Sequence, residues 1–261
     1  MSLLIDADYI VYKCCAAAEI DLDFGNDVIV VQSKFSDAMR MVERDLYNIA
    51  NDIGTFDDSI LFFSDSSNFR KCIDPEYKGH RNRKKPCGYR RVIEKLKEDY
   101  QVEIMPSLEA DDALGIWATK EPGHIICSPD KDMRQIPGDL YNFTDAVTTI
   151  TEEEGDRWHL VQTLAGDQTD GYSGVAGYGV KRAEAHFAKE GYTWEAVLKA
   201  FKEKDQTEDD AIRNARLARI LRNTDYDFER QIPRLWSPTS SSDYTDDGAR
   251  VHHATAAGSA A

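Results

Sequence analysis

Six short apolar runs, at residues 3–5, 28–31, 60–63, 102–105, 125–127 and 140–143, read as strands, and helical periodicity separates many of them. Residues 36–53 place Met39, Val42, Leu46, Ile49 and Ala50 at intervals of three or four, and residues 89–100 place Val92, Ile93 and Leu96 on one face. Strands alternating with helices imply an α/β fold with a largely parallel central sheet flanked by helices. Such sheets bind their ligands outside the carboxyl ends of the strands.

The pattern changes after Glu152. Strand signals fade, a glycine-rich turn follows at residues 174–179, and helices are expected near residues 194–204 and 207–222. This divides the chain into an α/β core at 1–151, a helical subdomain at 152–236, and a polar, low-complexity tail at 237–261 that is expected to be disordered. The chain has no apolar run of the roughly 18 residues a membrane span needs, and its start lacks the basic region and cleavage site of a secretory signal. Cys14, Cys15, Cys72, Cys87 and Cys127 show no zinc spacing and read as reduced thiols. A soluble, cytoplasmic, monomeric protein without membrane contact is the expectation.

Acids follow the apolar runs. Asp6 and Asp8 follow LLI, Asp65 follows ILFFS, Glu109, Asp111 and Asp112 follow EIMPSL, and Asp130 and Asp132 follow HIICSP. Any one of these is an ordinary helix cap or turn former. Four strand ends delivering acids to one rim are a different matter, because converging carboxylates repel one another unless cations neutralise them. All-oxygen ligation selects hard ions such as Mg²⁺ or Mn²⁺. Two such ions about 3.5–4 Å apart can activate a water and stabilise the leaving oxygen of a phosphodiester. Within LEADDALG, a regular helix puts Glu109 and Asp112 on one face and Asp111 nearly opposite, whereas a Glu109 that precedes the first turn could join Asp111. Both geometries remain open.

The net charge of −15 argues against nucleic acid until its distribution is considered. Residues 70–97 hold 11 Lys and Arg against three acids. Such a segment is either a solvated charged surface or a nucleic-acid groove, with Arg83, Lys84, Lys85 and Arg90 as candidate DNA contacts. Further on, Gly174, Gly177 and Gly179 open a helix whose first turn carries Lys181 and Arg182. Glycines allow close backbone approach, so exposed amides there can hold a DNA phosphate. Asp167 and Asp170 directly precede this turn.

With LLIDAD, SDSSNFRKCIDPEYKGHR, LEADDALG, SPDKDM, GDQTDGYSGVAGYGVKRA and ARILRNTDYDF in order, the chain resembles the flap-endonuclease superfamily, most closely the 5′ exonucleases of short-tailed phages, over roughly residues 1–236. The resemblance implies a PIN-like 5′ nuclease core with a helix-three-turn-helix subdomain. It assigns Asp6, Asp65, Glu109 and Asp111 to a first metal and Asp130, Asp132 and Asp167 to a second, with Asp112 and Asp170 as further acids. It places Lys78 and Arg81 beside the scissile phosphate, and a K⁺ ion on the carbonyls of the glycine turn. The family's arch joins two helices, but residues 78–100 offer one clear helix after a basic, irregular stretch at 82–86.

The implied activity is Mg²⁺-dependent 5′–3′ exonuclease action on duplex DNA, with flap-endonuclease and RNase H-like side activity at 5′ ends, gaps, flaps and RNA–DNA hybrids, in an infected bacterium. A PIN-type ribonuclease would share the acidic rim but lack the glycine turn. A non-catalytic, structure-specific DNA binder would lack part of the acid set.

Overall fold

The computed structural model describes residues 1–55, 58–81 and 84–238. From the N-terminus come β1 (Leu3–Asp6), α1 (Ala7–Ala17), β2 (Glu19–Asp23), β3 (Ile29–Ser33), α2 (Phe35–Ile53), β4 (Ser59–Phe62), α3 (Arg70–Ile73), α4 (Tyr89–Asp99), β5 (Gln101–Glu103) and α5 (Ala110–Lys120). Then follow β6 (Ile125–Cys127), a 3₁₀ turn (Lys131–Gln135), β7 (Gly138–Tyr141) and β8 (Thr148–Ile150). One six-stranded sheet has the order β5-β4-β1-β6-β7-β8, parallel throughout except for β8. The mostly parallel sheet expected from the alternation is therefore present.

β1 lies in the middle of this sheet and is buried on both faces. Leu3 and Ile5 join the core under α1, α2 and α4, while Leu4 points to the other side, against α5. α2 turns Ala38, Met39, Val42, Leu46, Ile49 and Ala50 inward and stops at Gly54, whose φ of 80° is a left-handed cap. Each of its larger aliphatic side chains contributes about 1.5–3 kcal/mol by leaving water.

Two strand expectations need correction. The apolar run at 28–31 belongs to β3, which pairs antiparallel with β2 in a separate hairpin and stays out of the central sheet. Gly25, Asn26 and Asp27 take positive φ in the connecting turn, which closes the hairpin locally. The region after Glu152 is also not free of strands: β9 (Gly166–Asp167) pairs with β10 (Tyr172–Ser173) beside α6 (Glu152–Ala165).

The helical part continues with α7 (Val180–Glu190), α8 (Trp194–Lys202) and α9 (Glu208–Ala218). Its own core includes Trp158, Leu164, Val175, Phe187, Val197 and Phe201. Thr151, Thr193 and Thr207 cap α6, α8 and α9 through their side chains. α9 ends four residues short of the expected Arg222. There the chain turns back onto the sheet side: Gln135 donates to Gln162 and to the Ala218 carbonyl, each at 2.6 Å, and Arg222 donates to the Gln135 carbonyl at 2.8 Å. Of the expected tail, residues 239–261 lie outside the described residues. Among the described residues no helix is long and apolar enough to cross a membrane. All five cysteines are free.

Candidate active site

The carboxyl ends of β1 and β6 are adjacent, and the acids that follow them meet there. Asp6 closes β1, caps α1 by accepting from the Tyr9 amide at 3.3 Å, and accepts from Ser128 Oγ at 2.8 Å. Burial pushes its carboxyl up to about 6, with Asp8 and Asp130 adding repulsion. Asp130 caps the 3₁₀ turn by accepting from the Asp132 amide at 2.9 Å. Burial and Asp130 push Asp132 up to about 7, and Asp167 and Asp170 add to this. Burial also acts against ionised Asp167, but Lys131 at 3.1 Å and the amides of Thr169 and Asp170 outweigh it and hold that carboxyl low. Asp130, Asp132, Asp167 and Asp170 line one cleft of about 350 Å³, with Arg81 and Lys131 at its walls.

A second group of acids sits at the start of α5. Glu109 has extended backbone and is the cap residue, so it precedes the first turn and joins Asp111: ligand oxygens of Glu109, Asp111 and Asp112 lie within 4.8 Å of one another. Burial opposes the charge on Glu109, yet Lys78 and Arg70 hold it down to about 2. Asp111 is pushed up by burial and by its two acidic neighbours. Asp65 lies outside this trio, on the loop after β4. Its carboxylate accepts from the Ser107 amide at 2.8 Å, Ser67 Oγ at 2.7 Å and the Ser66 amide at 2.6 Å, and these bonds keep it ionised.

Asp112 is held differently from its two neighbours. It is fully buried, with Arg70 Nη1 and Nη2 on its two oxygens at 2.6 and 2.8 Å and the Leu221 amide at 3.2 Å. Both its oxygens have partners within the protein, so we propose a structural role for Asp112 beside its place in the carboxylate trio. Arg70, counted above among basic surface residues, is itself buried, also donating to the carbonyls of Leu217 and Arg219 at 3.0 and 2.5 Å.

Of the cations expected at the phosphate, Lys78 joins the two acid groups and Arg81 flanks one of them. Lys78 pairs with Glu109 and lies 3.5 Å from Asp170, while Arg81 pairs with Asp170 at 2.8 Å. Lys78 has φ 54°, and its amide donates to the Asp170 carbonyl at 2.7 Å, so the strained backbone is fastened across the cleft. Tyr77, not singled out from sequence, lies between Glu109 at 3.0 Å and Asp170 at 2.7 Å. Asp8 accepts from the Ser64 amide at 2.8 Å and the Tyr89 hydroxyl at 2.5 Å, tying the basic helix α4 to the rim.

Of the basic segment, Lys84 and Arg90 are exposed, Lys85 lies over the rings of Tyr12 and Tyr89, and Arg83 falls outside the described residues. Residues 84–88 are non-helical, and among the described residues of 78–100 α4 is the one helix. At the glycine turn, Gly177 has φ 80°, Gly179 starts α7, and Lys181 and Arg182 are exposed. Gly174 has a packing role of its own. A Cβ there would collide with backbone atoms of Leu164 and Ala165, so glycine is required by packing.

This donor set fits hard divalent ions: all-oxygen, half-buried, and mutually repulsive in the ionised state. Asp6 and Asp132 bind protons more tightly in the fold than in the unfolded chain, so the stability they give is complete below about pH 4 and is lost as pH rises through about 6 and 7. A divalent ion competes with those protons. We expect Mg²⁺ to raise the Tm by roughly 5 °C or more at pH 7.5 and by little at pH 5. Buried His159, whose burial depresses its imidazole to about 3, titrates with and without the ion and drops out of this difference. Equal shifts at both pH values would contradict the assignment.

The fold has counterparts. Residues 1–162 match the family described as 5′-3′ exonuclease, N-terminal resolvase-like domain. The chain is 30% identical to the exonuclease of Escherichia phage T7, covering 90% of this chain and 93% of that protein. It is 31% identical to the exodeoxyribonuclease of Enterobacteria phage T3, covering 91% and 93%. A structure of the T5 5′-exonuclease with bound divalent (zinc) ions shares the fold, with a TM-score of 0.64 at 17% identity over 84% of this chain and 88% of that one. With an acidic rim on a mostly parallel sheet and near-complete coverage by these phage nucleases, the chain belongs to the 5′-3′ exonuclease family.

Proposed function

We propose that the protein hydrolyses phosphodiesters of duplex DNA from 5′ ends in a phage-infected bacterial cytoplasm, with flap-endonuclease and RNase H-like side activity. The observation that supports this best is the joining of two acid groups by Lys78 and Tyr77, with Arg81 paired to Asp170 beside them. Asp6, Asp65, Glu109 and Asp111 would hold one Mg²⁺, and Asp130, Asp132 and Asp167 a second, with Asp170 as a further acid nearby and Mn²⁺ as a substitute. Bound there, the ions would make a water easier to deprotonate and would supply positive charge for the leaving oxygen.

The chain's own residues do the rest. Lys78 stays an ammonium: burial disfavours its charge, but Glu109, Asp111 and Asp170 more than restore it. With the Arg81 guanidinium it offers fixed positive charge where charge develops on the reacting phosphate. Tyr77 and Arg70 orient Glu109, and Ser128 orients Asp6. Lys84, Lys85 and Arg90 would contact DNA on the arch side together with Arg83. Gly177, Gly179, Lys181 and Arg182 would hold the duplex backbone at the start of α7, with K⁺ on the turn carbonyls. In this reading the protein acts as a monomer, with residues 1–151 as the nuclease core and 152–236 as the duplex anchor.

Digesting duplexes labelled at either 5′ or 3′ ends, with DNA and RNA strands in parallel, tests polarity and sugar preference together. Early release of the 5′ label as short products, in Mg²⁺ and not in EDTA, is the expected result. Early release of the 3′ label, or cleavage of RNA strands alone, would contradict it.

A further inference from the structure

Lys131 is a cation within the acid cleft to which the reading above gives no task. It projects from the 3₁₀ turn between Asp130 and Asp132, and its ammonium lies 3.1 Å from Asp167 Oδ2. The other oxygen of Asp167 accepts from the amides of Thr169 and Asp170, at 2.7 and 3.3 Å. Asp132 Oδ1 accepts from Gln162 at 2.5 Å. These bonds fix Asp132 and Asp167 from the protein side and leave Lys131 as the partner of Asp167 Oδ2. The two members of the pair are unequally held: the side chain of Lys131 is 57% exposed and that of Asp167 9%. An ammonium on a flexible stem can move into water, whereas the carboxylate is anchored. Lys78 differs, because its side chain is only 18% exposed and lies between Glu109 and Asp170.

We propose that Lys131 is a resident counter-cation of the Asp130, Asp132 and Asp167 group, which a divalent ion must displace, so that it lowers the affinity of this group for the ion when no DNA is bound. This rests on the reading that these acids hold a divalent ion. A single positive charge relieves part of the repulsion among three carboxylates, and an incoming ion gains only what the ammonium has not already supplied. The ion also meets the ammonium's own repulsion until that group swings out. The consequence is a cleft that fills more readily once DNA phosphate gives the displaced ammonium a new partner.

Mn²⁺ titrated calorimetrically into the full chain without DNA provides the test, the relevant binding event being the one lost in Asp132→Asn. Lys131→Met is expected to tighten that event by roughly 3- to 10-fold, the scale of one partly screened charge acting on a divalent ion. Lys131→Arg, which keeps the charge, should stay near the parent affinity. Lys95→Met removes one charge from a surface cluster with Glu98 and Asp99 on α4 and should change nothing. Unchanged or weaker binding in Lys131→Met, or equal tightening in Lys95→Met, overturns the proposal while leaving the metal site in place. If the parent chain takes up no Mn²⁺ in an event sensitive to Asp132→Asn, the metal reading itself fails.

Discussion

Asp111→Asn is expected to lower the single-turnover rate of Mg²⁺-dependent cleavage by about 10³-fold or more, equivalent to roughly 4 kcal/mol of barrier. DNA affinity should stay within about a few-fold, because contacts to phosphate away from the reacting bond dominate binding. The argument rests on where Asp111 sits. It is one of three carboxylates whose oxygens lie within 4.8 Å, and burial, Asp112 and Glu109 all oppose its ionisation. Such a group has little structural reason to be an acid. Its amide analogue should therefore leave the Tm in EDTA unchanged or higher, while the Mg²⁺-induced rise shrinks. Loss of activity with an intact fold is the signature sought. Substantial turnover by Asp111→Asn in Mg²⁺ would sink the assignment.

Much of this rim was legible because the signal is local. In a parallel sheet, an apolar run followed within three residues by an acid puts that acid at the carboxyl end, and Asp6, Asp65 and Asp130 obey this simple geometry. Lys78 and Arg81 were reached only through their resemblance to a known motif, since nothing in a basic segment says which cation faces the acids. Arg70 shows why. It reads as one more surface charge among 11, yet it is buried against an aspartate 42 positions away. Long-range pairing leaves no local pattern. The β2–β3 hairpin failed for the opposite reason: its apolar run was visible, but the positive-φ turn at Gly25, Asn26 and Asp27 decided which partner it met. Tyr77 and Lys131 were missed because their contacts to Asp170 and Asp167 exist only once the helical part has closed over the sheet.

Arg70→Met is expected to destabilise the fold by about 3–5 kcal/mol, because it leaves Asp112 charged and buried without its counter-ion. In a chain of this size that is a Tm lower by roughly 10 °C. The same pair explains how the helical part is joined to the site: Arg70 donates to the carbonyls of Leu217 and Arg219, and Asp112 accepts from the Leu221 amide. The end of α9 is thus fastened directly beneath Glu109 and Asp111. Asp112→Asn removes the charge from the other side of the pair and should cost a similar amount. The decisive comparison is with and without Mg²⁺. If Asp112 is a structural partner, its Tm loss is the same in EDTA and in Mg²⁺, and the ion-induced rise survives. Were Asp112 a metal acid after all, Asp112→Asn would behave like Asp111→Asn, keeping its Tm in EDTA and losing the response to Mg²⁺. The double variant Arg70→Met, Asp112→Leu should recover part of the single-variant loss, since the buried Asp112 charge is gone and Glu109 keeps Lys78, although Glu109 loses Arg70 and the carbonyls of Leu217 and Arg219 and the amide of Leu221 lose their partners. Additive losses in the double variant would show that the pair is not the unit that binds the two parts of the chain together.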